Sequence, residues 1–171
     1  MEFWEIHPVL VHFPIAFLLG GMAVEVWAFR RPRESLTRPA AGLLVAGVVS
    51  GWLTASAGLL AFLTVRAHTT EAHGRMYWHL WIATVCLLLF SWVAWKRWWN
   101  RSERASKPVL ITGLIAAILL LIVGALGGGL VYRGGAGVDP EILAPEIRSG
   151  HSHQKSDSGK SEGGHGQPHG H

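Results

Sequence analysis

Cysteine is all but absent. Cys86 is the only one in the chain, so no intrachain disulfide can form, and a CxxC redox pair or a covalent haem-attachment motif is excluded. Acid is almost missing from the apolar stretches, where Glu25 is the one carboxylate. The N-terminus lacks the basic start of a secretory signal and carries Glu2 and Glu5 instead. Its first apolar run is also longer than a signal core, so that segment is expected to remain in the mature protein. No nucleophile–base pairing and no nucleotide-binding motif is present, and the chain reads as a non-enzyme. Alternating or amphipathic patterning is lacking as well.

The apolar half of the 171 residues comes instead in four long blocks, 8–29, 39–65, 77–95 and 108–132. Each is near or above the ~20 residues of helix that cross a hydrocarbon core. Lipid offers the backbone no hydrogen-bond partners, which makes helix the economical choice for every crossing. With short loops, consecutive helices are expected to pack antiparallel as an all-α, up-and-down four-helix bundle in the lipid bilayer. Pro39 and Pro108 are placed at helix starts, where a missing N–H costs nothing. Pro14 falls inside the first helix, deprives the Leu10 carbonyl of its donor and predicts a kink beside His12.

Positive charge gathers in two loops. Arg30, Arg31, Arg33 and Arg38 follow the first block, and Lys96, Arg97, Arg101, Arg104 and Lys107 follow the third. The positive-inside bias then predicts both loops cytoplasmic and both termini outside, in a bacterial inner membrane. Topology accounts for the basic balance, so nucleic acid is not expected as a partner. Of the nine tryptophans, Trp4, Trp78 and Trp81 mark one interface, Trp27, Trp92, Trp95, Trp98 and Trp99 mark the other, and Trp52 sits between. A membrane domain over 1–138 is followed by a segment, 139–171, whose Gly, Ser, Lys and His cannot bury a core and predict disorder. Gly47, Gly51 and Ala55 in the second block, and Gly124 and Gly128 in the fourth, have the spacing that lets helices approach closely or makes room for a flat cofactor.

Histidine is where chemistry is expected. His7 and His12 open the first block, His68 and His73 lie in the loop before the third, and His79 begins that block. Imidazoles beside a membrane span are functional candidates by default. Five residues separate His7 from His12, a rotation of about 140° on a helix, so the two do not share a face. The expectation is that His12 faces inward and His7 stays at the mouth. His12 and His79, from facing helices, are the candidate axial ligands of a non-covalent haem b in an electron-transfer protein, with His73 as substitute ligand. His7 and His68 complete the outer cluster, and Arg66 and Arg133 are candidates for the propionates. A cytochrome c or a quinone would then be the redox partner.

Two alternatives remain open. A copper or zinc site could draw on His7, His68, His73 and Glu71. It could be supplied by tail histidines His151, His153, His165, His169 and His171, which make a flexible chelator. The duller alternative is a structural subunit without ligand. Glu25 is expected to form an ion pair with Arg30, Arg31 or Arg97, or else to relay protons.

The strings HPVLVHFPIAFLLGG near the N-terminus and LGGGLVYRGGAGV after the fourth block resemble the signatures of the bacterial domain of unknown function 2231 family. The resemblance covers about Ile6 to Val138. It rests on His7, Pro8, His12, Phe13 and Pro14 in the first string and on Gly128, Leu130, Val131, Tyr132, Gly135, Gly137 and Val138 in the second. It implies four membrane helices with histidines on the outer side, and the fusion of some relatives to cytochrome c-like domains hints at electron transfer. Gly134 stands where relatives often carry a histidine, so any role of that histidine would fall elsewhere in this chain.

Overall fold

The computed structural model describes residues 3–31, 34–64 and 70–134, with side chains over 7–31, 35–63 and 74–132. All belong to the unit Met1–Val138. The described residues form five helices and a few short non-helical pieces: α1 (Phe3–Leu10), α2 (His12–Arg30), α3 (Glu34–Thr64), α4 (Thr70–Trp99) and α5 (Lys107–Gly134). Four stretches are long and apolar enough to cross a membrane: His7–Arg30, Ser35–Leu63, Gly74–Trp99 and Lys107–Tyr132. Only 17% to 28% of each span's most apolar window is buried within the protein. Helices apolar on every face fit a surrounding of lipid, not water.

The first span is made of α1 and α2. Val11 separates them, and its own backbone stays in the right-handed helical region at φ −60° and ψ −25°. Hydrogen bonds from Val11 N to His7 O (3.1 Å) and from Ile15 N to Val11 O (3.4 Å) carry the helix past the interruption. What is missing is the bond that Pro14 cannot donate to Leu10. The break expected near His12 is therefore one lost hydrogen bond and not a change of direction in the backbone angles at Val11.

Two helix starts differ from expectation. The second spanning helix begins at Glu34, so Pro39 lies inside α3. The third begins at Thr70, which puts Glu71, His73 and Arg75 on α4 and not in a loop. In both cases polar residues continue the helix beyond the apolar run, where hydropathy no longer reports its course. Pro108, by contrast, is the second residue of α5, as expected.

Helix α2 packs on α3, α3 on α4, α4 on α5, and α5 back on α2, which closes a four-membered ring, while α1 leans on α3. The core runs through Leu18, Met22, Leu44, Phe90, Val93 and Ala116. Helices α2 and α3 meet most closely. A Cβ on Gly47 would lie 2.5 Å from Leu18 Cδ2 and 3.1 Å from Leu18 N, and one on Gly21 would lie 3.2 Å from Leu44 N. Close packing is thus the role of Gly47, and Gly51 similarly leaves room for Leu87. Across α3 and α4, Trp52 Nε1 donates to Ser91 Oγ at 3.2 Å.

Candidate functional site: a histidine pair at one end of the bundle

His7 is carried by α1 onto the side of α3. Its Nδ1 bonds the Thr54 carbonyl at 2.9 Å. A carbonyl only accepts, so Nδ1 carries the proton and the lone pair is left on Nε2. That is the arrangement in which a backbone carbonyl orients a ligating imidazole. The ring lies against Gly58, where a Cβ would come within 2.7 Å of Cε1 and 2.9 Å of Nδ1. Any side chain at 58 would push it away.

His79 occupies the equivalent place between α4 and α5. Its ring lies against Gly127, where a Cβ would stand 3.3 Å from Cε1, and it hydrogen-bonds the Val123 backbone. Its Nδ1 is nevertheless buried without a hydrogen-bond partner. Buried ring nitrogens are seldom left so, and each one needs a physical reason. His7 lies within electrostatic range of His79.

His12 does not take part. It is exposed, and its Nδ1 reaches only the Val9 carbonyl of its own helical turn, at 3.4 Å. The inward and outward positions expected for His12 and His7 are therefore exchanged. Spacing allows only one of them to face the bundle, and the seat offered by Thr54 and Gly58 on α3 selects His7.

A family model described as "Predicted membrane protein (DUF2231)" matches residues 4–140. The chain belongs to the DUF2231 family. No curated protein and no solved structure matches it.

The remaining expected site residues of this DUF2231 protein fall into two groups. His73 and Glu71 on α4 and Arg133 on α5 have backbones in helices, but their side chains lie outside the described residues. His73, expected as a substitute ligand, precedes His79 by six residues on the same helix. Arg66, His68 and the tail histidines His151, His153, His165, His169 and His171 lie wholly outside the described residues. Among the described residues, no group of three or more His, Cys, Asp or Glu is placed to hold a metal ion. Thr54, Gly58 and Gly127 were not singled out as site residues from sequence. Gly127 was visible only as one of several neighbouring glycines, and nothing marked the Thr54 carbonyl.

The opposite end of the DUF2231 bundle holds the one buried ion pair among the described residues. Arg97 Nε donates to Glu25 Oε1 at 2.5 Å, with both side chains only 2% exposed. Arg97 Nη1 donates to the carbonyls of Asn100 and Glu103, each at 3.0 Å. Of the three partners expected for Glu25, Arg97 is the one that engages it, because α4 carries it into the core while Arg30 and Arg31 stay exposed at the end of α2.

Proposed function

We propose that this protein is a membrane-embedded electron-transfer protein that holds a non-covalent b-type haem at the histidine end of the bundle, with His7 and His79 as its axial ligands. The observation that carries the proposal is the state of the two rings. His7 has one nitrogen committed to a carbonyl and the other bearing its lone pair, and His79 keeps a buried nitrogen without a partner.

Donor number favours haem over a bare ion. A porphyrin supplies four nitrogens and needs only two imidazoles from protein, whereas zinc takes three or four protein ligands. Two histidines from facing helices of a four-helix bundle suit the first requirement. When bound, the haem would supply one-electron chemistry. The chain's own part is to orient the His7 ring through Thr54 and to keep glycine at 58 and 127, where the rings need room.

The charge distribution supports a placement with the histidine end at the outer leaflet of a bacterial inner membrane and both termini outside. An extracytoplasmic cytochrome c or a membrane quinone is then the chemically suitable partner. The copper or zinc alternative draws on His7 together with His68, His73, Glu71 and the tail histidines, and of these only His7 has its side chain among the described residues.

The test is a pyridine haemochrome assay on detergent-purified full-length protein expressed with haem supplied. The proposal requires a b-type haem in near-stoichiometric amount. Its absence, with zinc or copper found by elemental analysis, would move the assignment to metal handling.

A further inference from the structure

The arginine end of the bundle carries a second surface that electron transfer does not use. Arg30, Arg31, Arg38, Arg101, Arg104 and Lys107 are all exposed there. Among the described side chains the only ion pair is the buried one between Arg97 and Glu25, so none of these six cations is held by a described carboxylate, and the exposed Glu103 between Arg101 and Arg104 forms no ion pair with either. Two cations of this end instead stack on indole rings. Arg101 lies 4.7 Å from the centre of the Trp98 ring, and Lys96 lies 5.0 Å from that of Trp95. Stacking on a ring face holds a cation in place while leaving its N–H groups free to bind an anion.

The backbone between α4 and α5 is held as well. Arg97 Nη1 bonds the carbonyls of Asn100 and Glu103, and Glu103 N closes a turn onto Asn100 O at 3.0 Å. Arg97 is itself anchored by Glu25 in the core. The buried pair therefore positions the turn that displays Arg101 and Arg104, and a site ordered before binding loses less entropy when it binds.

We propose that this turn, with the end of α4, is a headgroup site for an anionic phospholipid. The partner follows from the setting. The cations sit where apolar spans end, and Trp95, Trp98 and Trp99 are 55%, 47% and 74% exposed beside them. Indole rings of this kind favour the headgroup level of a bilayer, where lipid phosphates are the available anions. Each cation near an anionic membrane surface contributes about fivefold to association, so removing two weakens it roughly 30-fold.

Native mass spectrometry of the full-length protein in mild detergent, titrated with dioleoyl phosphatidylglycerol or dioleoyl phosphatidylcholine, tests this. The wild type should retain phosphatidylglycerol in preference to phosphatidylcholine. The Arg101→Gln/Arg104→Gln variant, changed only at exposed positions, should bind phosphatidylglycerol roughly 30-fold more weakly and phosphatidylcholine as before. Equal binding of the two lipids by the wild type, or undiminished phosphatidylglycerol binding by the variant, would overturn the proposal. Displacement of bound lipid by inorganic phosphate would overturn it in favour of a free-anion site.

Discussion

Replacing Glu25 by Gln leaves the shape of the side chain almost unchanged and removes its charge, so it isolates what the buried pair contributes. Arg97 is 1% exposed and has no other anion among the described residues. Removing one partner of such a pair costs about 3–5 kcal/mol, because the remaining charge stays buried. The lower figure applies here, since Arg97 keeps the Asn100 and Glu103 carbonyls as acceptors. A loss of ~3 kcal/mol corresponds to a fall in Tm on the order of 10 °C for a domain of this size. Thermal unfolding in detergent, followed by tryptophan fluorescence, reads it directly. The companion Glu25→Gln/Arg97→Met removes the stranded charge and should recover most of the loss, because an apolar replacement of a whole buried pair is often neutral. The cycle measures the coupling between the two residues. An unchanged Tm in Glu25→Gln, or additive losses in the double variant, would refute the reasoning.

Gly58→Ala should displace the His7 ring, whose Cε1 would lie 2.7 Å from the new Cβ. Overpacking costs about 1–3 kcal/mol and helix propensity returns about 1, so the net loss of stability should be no more than about 2 kcal/mol, while the Soret band expected of bound haem is lost or shifted. Gly47→Ala meets both the side chain and the backbone of Leu18 and should lower Tm, whereas Gly124→Ala meets nothing within 4 Å and should raise it slightly, by up to ~1 kcal/mol of helix propensity. Trp52→Phe loses the bond to Ser91 and should cost about 0.5–1.5 kcal/mol in the same unfolding assay.

The four spans were legible because long apolar runs are a direct consequence of lipid as solvent. The starts of α3 and α4 were not. Glu34 to Arg38 and Thr70 to Arg75 are polar, and a helix that leaves the hydrocarbon keeps its backbone bonds without keeping its hydropathy. The Glu25 partner could be narrowed to three residues because so few cations lie within a helical turn or two of the same level. Spacing showed that His7 and His12 face apart, but it carried no sign of which faced in. That choice is made by the packing of α1 on α3 and by one carbonyl, Thr54, which belongs to a residue 47 positions away. Gly58 escaped notice for the same reason: its role exists only once another helix lies against it.

The central claim is that His7 and His79, and not His12, form the site. Reduced-minus-oxidised spectra of detergent-purified wild type, His7→Ala, His79→Ala and His12→Ala, each expressed with haem supplied, test it most directly. The account predicts a b-type difference spectrum in the wild type and in His12→Ala, and its loss or alteration in His7→Ala and His79→Ala. A spectrum that survives the loss of His7 or His79, or that disappears with His12, would contradict it.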